Sequence, residues 1–571
     1  MTRAGLDPKT SKALYSRIAD RLGGESAITS VGEWLCDNTF LDGKPWTFRH
    51  HELQQAICNC TDRHVVVQKP TQVGLTELSL RIALALCALR SYFKVIYVLP
   101  SAQFAGEVSK MRISPMIETS ERLSSMLVPG ADGAMAKRIG TSIFYMGGAA
   151  TERQTISRPA EALFFDEKDY CNQAVLQGYF GRLDHVEEAK QLIREFSTPT
   201  VGDYGINRSL LMSSRARYLV KCEHCGEWQA PDFATQVRVP GWDGDDFHLF
   251  TRDDLPNCDT DAAYLACRKC YKSLNASLLD TKREWVDEVP GASVKGFEVK
   301  PYDLPKYNTI PRLVRKIADR TSHKYWNDVQ GEVFQSESNS VNLNVVGEKF
   351  CLGADHPLKG CSVGIDVGDT YCYAMAGRKV GAETHVLWRK RYAISDGSFE
   401  EQIRKDLPEF VSGVMDRGPN RTLSRSFTDH GGDRFYACTY RKDKPTAKDY
   451  FETNDETKIV SVQRTTGFNL LVEELNKGLW KFAIGPDREM VLHHFGGMKR
   501  LQQATEEGDY AQQWVKVGDK EDHFFHAAMY LKTAIELLDG QSSSVIGTLP
   551  NFRGVSIGAP TVQNVTNFFR G

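Results

Sequence analysis

The sequence predicts an α/β protein of two large domains with a small cysteine-bearing insertion, and three observations lead there. The chain has 571 residues, more than one hydrophobic core usually serves. A β-branched run, VVVQ at 65–68, leads into a glycine-containing turn, as a buried parallel strand does before a helix. Further apolar stretches end in carboxylates, first at Asp166-Glu167 and again at Asp366, and ligands gather at such strand ends in open α/β sheets.

Composition bounds the rest. With 41% hydrophobic and 25% charged residues the sequence reads as globular, and its apolar run Ile82–Leu89 is too short to cross a bilayer. The opening MTRAGLDPKTSK lacks the apolar core of a secretory signal, so a cytoplasmic protein without membrane contact is expected. A formal charge of -2 neither requires nor excludes a polyanionic partner, because a basic channel can sit inside an acidic surface. The 14 cysteines then read as thiols or metal ligands rather than disulfides.

The first acidic set suggests nucleotide hydrolysis. KPTQVGLT at 69–76 overlays a phosphate loop with Gly74 and Thr76 in register, Gln72 within the turn and Leu75 where the lysine usually stands. Backbone N–H groups of such a turn can cradle phosphate, Thr76 can hold magnesium, and Lys69 can reach back over the same phosphates. EALFFDE at 161–167 would deliver Asp166 to the magnesium and Glu167 to the attacking water. YFKVIYVLP at 92–100 supplies another parallel strand. Arg112 is a candidate arginine finger or a solvated helix residue, with Arg158 a weaker candidate. Ser197 and Thr198, in STPT after an expected helix, are either a γ-phosphate sensor or a plain turn. Upstream, Trp46 or Phe48 could stack on adenine while Gln54 reads its polar edge, unless this segment is only a packing helix.

Two C-x-x-C knuckles, Cys222/Cys225 and Cys267/Cys270, supply four thiolates for structural zinc, with reduced free thiols as the alternative. Cys258 is a substitute ligand, and His224 is expected to point away.

The second acidic set suggests a metal-dependent nuclease. CSVGIDVGDT at 361–370 reads as a strand carrying Asp366, followed by a hairpin partner in YCYAMAGRK. TLSRSFTDH at 422–430 reads as a short strand ending at Asp429, and a helix opening near Asp522 sets His523 and His526 on one face. Carboxylates converging from two strands and a helix can hold divalent ions for phosphodiester cleavage, with Asp369 and Asp433 as decoys. Arg389–Arg391, Arg421, Arg425 and Arg441-Lys442 could line a DNA channel, and Trp514 with Lys516 is expected on a strand beside the site.

In this combination the chain resembles the phage terminase large subunit, in particular its GpA-like branch, over about residues 30–535. The resemblance rests on KPTQVGLT, LFFDE, STPT, CEHC with CRKC, WNDVQGEVF at 326–334, FTDHGG and DHFFHA. It implies an N-terminal P-loop ASCE-type ATPase joined to a C-terminal RNase H-like mixed-sheet nuclease. It implies ATP, Mg2+ (or Mn2+ at the nuclease) and structural Zn2+ as cofactors. Implied partners are double-stranded DNA, the portal of a procapsid, a small terminase subunit and further copies of the chain, in the host cytoplasm with transient docking on the procapsid. Lys69, Asp166 and Glu167 match the motor residues of the family, and Asp366 and Asp429 its first two nuclease acids. The third departs: His526 stands where an Asp is common, so Asp522 or His526 itself would complete the metal set.

The implied domains are a helical partner-docking segment (1–44), the ATPase (45–220), the zinc insertion (221–271), the remainder of the motor with a linker (272–350), the nuclease (351–540) and a flexible tail (541–571) with a docking segment in VTNFFRG. A helicase–nuclease of repair or restriction, and a DNA-bound scaffold without activity, are the competing readings.

Overall fold

The computed structural model describes residues 30–155, 158–280, 282–334, 339–353, 357–394, 401–402, 405, 410–443, 449–505 and 509–539. Expectations for the segment before residue 30 and for the tail after 539 lie outside them. The chain divides into two compact units, the first largely of residues up to Phe334 and the second largely of those after it. Among the described residues no helix is long and apolar enough to cross a membrane.

The first unit is built on an 11-stranded sheet whose centre is seven parallel strands. In chain order these are β1 (His64–Gln68), β2 (Lys94–Leu99), β3 (Ser142–Gly148), β4 (Ala162–Asp166), β5 (Leu192–Ser197), β6 (Ala216–Lys221) and β7 (Lys295–Glu298). Their spatial order is β6-β7-β1-β5-β4-β2-β3. Val65, Val66 and Val67, and Leu163, Phe164 and Phe165, are fully or almost fully buried, because helices cover both faces of such a sheet. Helix α1 (Leu75–Leu89) leaves the β1 turn at Gly74, whose φ of +73° places the chain in the left-handed region.

STPT follows strand β5, not the helix expected there. β5 lies between β1 and β4 and still carries Arg194 and Glu195, the mixture that hid it. Glu195 is satisfied by His64 (3.1 Å) and Lys168 (2.6 Å), and Arg194 donates to the carbonyls of Arg63 (3.0 Å) and Cys60 (3.2 Å).

The second unit has a mixed nine-stranded sheet. Strands β8 (Ser362–Val367), β9 (Tyr371–Val380) and β10 (Glu383–Ala393) form an antiparallel meander. On its other side β8 pairs in parallel with β11 (Ser412–Asp416), followed by parallel β12 (Phe435–Arg441) and β13 (Ile459–Gln463). Residues 422–430, expected as a strand, belong instead to helix α2 (Arg421–Gly431). The Asn420 side chain caps its start by accepting from the Leu423 N–H (3.1 Å), and Phe427 packs on Phe435. Trp514 does lie in a strand, Tyr510–Lys516, but its ring is buried against Phe525 with its N–H on Asn469 (2.9 Å), a core role.

Helix α3 (His523–Asp539) lies directly on β8. A Cβ on Gly364 would stand 2.2 Å from both the Ala527 carbonyl oxygen and the Leu531 nitrogen, so the backbones touch where no side chain fits. Gly364→Val is therefore expected to cost about 3 kcal/mol or more and to lower the thermal midpoint of the second unit by roughly 6–12 °C, read by calorimetry on the intact chain.

Candidate functional sites

The turn at 69–76, expected as a phosphate loop, is held from several sides. Lys69 at its start donates its backbone N–H to the Ser197 carbonyl (3.0 Å) and buries its ammonium between two acids, 3.1 Å from Glu167 Oε1 and 4.0 Å from Asp166 Oδ1. Burial works to lower the pKa of Lys69, but Glu167 and Asp166 outweigh it, so the ammonium is held charged. Burial also lifts the Glu167 carboxyl above the usual carboxylate range despite Lys69, which suits a group that must take a proton. Glu167 sits at φ +53°, a strained conformation for a residue with a side chain and one that concentrates at functional sites.

Asp166 is fully buried and fixed at both oxygens. Oδ1 accepts the Glu167 N–H (3.1 Å) and Oδ2 accepts the hydroxyl of Tyr97 (2.8 Å), which also bonds Ser79 (2.6 Å). Behind Glu167, Asp169 accepts from the Thr200 N–H (2.8 Å), the Thr200 hydroxyl (2.7 Å) and the Ile206 N–H (2.7 Å), while its own N–H donates to Ser197 Oγ (3.1 Å). The turn after the acidic strand is thereby tied to the loop that follows β5. Thr198 keeps a buried hydroxyl without a hydrogen-bond partner among the described residues.

The four cysteine sulfurs all lie within 4.8 Å of one another. Cys222–Cys270 and Cys225–Cys267 are each 3.7 Å apart. Four thiolates about 2.3 Å from one zinc ion stand about 3.8 Å apart at tetrahedral corners, so the quartet fits that ion. The Gln229 amide (3.1 Å) and the Lys269 N–H (3.5 Å) donate to Cys267 Sγ, as donors do to a metal-bound thiolate. His224 turns to Glu223 (3.5 Å), and Cys258 lies outside the quartet. Cys267→Ser is expected to lose about one equivalent of zinc, read by elemental analysis, together with a lower thermal midpoint; zinc-free wild-type protein would refute the site.

In the second unit, β8 and β11 pair with Ile365 opposite Met415, which brings Asp366 and Asp416 side by side at the ends of neighbouring parallel strands, where the inter-strand spacing is about 4.8 Å. Burial and the Asp366 charge push the Asp416 carboxyl up to about 6. Two acids that repel in this way suit a divalent cation, which would relieve the repulsion. From α3, His523 places Nδ1 2.7 Å from Asp366 Oδ2 and stacks on Tyr373, centroids 4.5 Å apart. Tyr373 in turn donates to Glu521 (2.9 Å). His526 is engaged at both nitrogens, by the Tyr440 hydroxyl (2.9 Å) and by Asp522 (3.5 Å). Among the described residues the cysteine quartet is the only group of three or more His, Cys, Asp or Glu gathered as tightly as a closed metal site.

Residues 49–277 match the family model described as phage terminase large subunit gpA, ATPase domain. Over those residues the chain is similar to that family's ATPase domain. Among solved structures similar to it, the large terminase of bacteriophage HK97 is 10% identical with a TM-score of 0.45, covering 88% of this chain and 98% of that one. The ATPase domain of the Thermus phage P74-26 large terminase is 13% identical with a TM-score of 0.30, covering 50% and 96%. The large terminase nuclease of thermophilic phage G20c is 11% identical with a TM-score of 0.24, covering 34% and 98%. No curated protein matches the chain.

In this chain the structure brings Lys69, Asp166 and Glu167 together, sets Thr76 in the first turn of α1, and leaves Gln72 exposed in the loop at φ +59°. Gln54 is buried and props the loop by donating to the Val73 carbonyl (2.7 Å). Trp46 and Phe48 belong to the core, with the Arg81 guanidinium covering Trp46 at 4.5 Å, so neither ring is open to a base. Arg112 pairs with Glu77 (3.3 Å) of α1, and Arg158 donates to the Met146 carbonyl (3.3 Å). Asp429 is exposed on α2 rather than at a strand end, so its expected place beside Asp366 goes to Asp416. His523, not His526, is the histidine bonded to Asp366. Of the expected channel cations, Arg389 is bound to Asp487 (2.7 Å) and Arg441 to Glu452.

Asp416 carries the pattern that marked Asp166, an apolar stretch ending in an acid, and SGVMD at 412–416 was open to the same reading. Tyr97 and Asp169 bear no such signal, since their roles exist only once neighbouring strands meet.

Proposed function

We propose that this chain is the large subunit of a viral DNA-packaging terminase. It would couple ATP hydrolysis to movement of double-stranded DNA through a portal into a procapsid, and cut concatemeric DNA at a second site. The observation that carries the reading is the Lys69 ammonium seated between Asp166 and Glu167 beside the phosphate loop, which supplies the charge that Leu75 cannot. A strand inserted between the loop-bearing and acid-bearing strands, with the acids at the carboxyl end, supports an ASCE-type motor over about residues 45–220. The cysteine insertion would occupy 221–271, and 272–350 would complete the motor and link it onward. The mixed sheet with acids on adjacent parallel strands supports an RNase H-like nuclease over 351–540.

In the motor, Lys69 would donate to phosphate oxygens and the loop N–H groups would cradle them, with Glu167 orienting water and accepting its proton. Tyr97 keeps one Asp166 oxygen occupied and so aims the carboxylate. At the nuclease, Asp366 and Asp416 form the acidic pair, and His523 would yield its hydrogen bond as the site fills. Divalent ions, held by Thr76 and Asp166 in the motor and by Asp366 and Asp416 in the nuclease, supply charge neutralisation and water activation when bound. Cytoplasmic action with transient docking on the procapsid, a small-subunit partner and self-association during packaging complete the proposal.

The test is paired assays on the intact purified chain, ATP turnover with and without duplex DNA, and nicking of supercoiled plasmid in Mg2+ or Mn2+. Both activities are expected. Turnover without cleavage would leave only the motor half, and neither would leave a scaffold.

A further inference from the structure

The unit that holds the phosphate loop has a cationic strip that neither the nucleotide site nor the cysteine quartet uses. Between residues 312 and 324 lie the cations Arg312, Arg315, Lys316, Arg320 and Lys324, against a single carboxylate, Asp319. Leu313, Val314 and Ile317 turn inward to the core that also contains Cys222 and Cys267, so the cations occupy the outer side of the helix Ile310–Arg315 and the turn after it. Arg312, Arg315, His323 and Lys324 are exposed, and Lys316 and Arg320 half-buried.

Among the described residues only Arg315 of this strip has an ion-pair partner, Asp261. Arg312 and Arg320 donate to the carbonyls of Tyr307 and Lys316, and Lys316 to the Asn308 amide oxygen (3.4 Å), contacts that orient the cations without neutralising them. Burial pulls the Lys316 ammonium down to about 8, helped by the repulsion of Arg312 and Arg320. Asp328 lies within electrostatic reach of Arg320 and Lys324.

The strip continues directly into residues 325–331, which grip the phosphate loop. The Asp328 carbonyl accepts both the N–H and the hydroxyl of Thr71 (2.8 Å each), and the Gln68 amide donates to the Gly331 carbonyl (3.0 Å). Gly331 adopts φ +68°, and a Cβ there would stand 2.7 Å from the Pro70 nitrogen. Tyr325 and Trp326 are buried, so the strip and the grip are joined by packed residues rather than a loose link.

We propose that residues 312–324 seat the phosphate backbone of duplex DNA and that residues 325–331 report its arrival to the phosphate loop. The proposal rests on the motor reading for its choice of polyanion. A row of cations of which, among the described residues, only Arg315 is ion-paired answers a row of phosphates, with affinity that falls steeply with salt.

The experiment measures anisotropy of a labelled duplex of about 30 base pairs between about 50 and 200 mM salt, with ATP turnover in parallel, on the intact chain. Combined Arg312→Ala, Lys316→Ala and Arg320→Ala is expected to lower the salt slope of log affinity by roughly two to three and to remove stimulation of turnover by DNA, with basal turnover held. Should that variant fail to fold, judged by zinc content and thermal midpoint, the exposed Lys324→Glu is expected to lower the slope by about one. Gly331→Ala is expected to bind duplex as the wild type does but to lose the stimulation, and full stimulation there would overturn the link. Unchanged slopes in the folded charge variants overturn the seat, as does loss of basal turnover at unchanged slope, which would assign the cations to nucleotide. A lowered slope in a chain that hydrolyses no ATP would leave the seat standing and sink the motor reading instead.

Discussion

Asp416→Asn is expected to reduce divalent-metal-dependent DNA cleavage about a hundred- to a thousandfold, while Asp429→Asn leaves it within about twofold. The first figure corresponds to several kcal/mol of lost charge stabilisation at the phosphodiester. Asp416 ends β11 beside Asp366 and carries a carboxyl raised by burial and by the Asp366 charge, whereas Asp429 is exposed on α2. Plasmid nicking by the two variants, with ATP turnover as the internal control, decides between them. Full cleavage by the Asp416 variant, or its loss in the Asp429 variant, would return the site to the arrangement first expected from the sequence. Asp366→Ala belongs to the same experiment and is expected to match Asp416→Asn.

Glu167→Gln is expected to lower ATP turnover about a hundred- to ten-thousandfold, the range a positioned general base contributes, with nucleotide affinity within a few fold of wild type. The amide keeps the size of the side chain and can still meet Lys69, but cannot accept the proton of water. A fluorescent nucleotide titration beside steady-state turnover separates the two effects. Lys69→Met should differ by weakening nucleotide binding as well, because the ammonium that would face phosphate is gone. Unchanged turnover in the glutamine variant would move the base elsewhere.

Much of the proposed motor was legible because its parts are local in sequence. Strand β1, the turn at Gly74, helix α1 and the acids ending β4 each announce themselves within a few residues, and only the pairing of strands was needed to seat Lys69 between the acids. The cysteine knuckles were legible for the same reason. The nuclease site is assembled from more distant pieces, and its reading failed at the one segment where local signals conflict. Thr, Phe and Ser in 422–430 suit a strand, yet the Asn420 cap and the packing of Phe427 on Phe435 make a helix. Strand β5 was missed because Arg194 and Glu195 break its apolar pattern, and only partners far along the chain make those charges tolerable. Trp46 was misplaced by the same kind of ignorance, since nothing nearby in sequence announces that Arg81 will cover it.

The contact of helix with strand at Gly364 determines how the cutting centre would respond to mutation. Gly364 lies two positions before Asp366 on β8, and α3 meets it backbone to backbone, so the height at which His523 arrives over Asp366 depends on that close main-chain approach. A saturation scan of this unit should find Gly364 among the positions that accept no side chain.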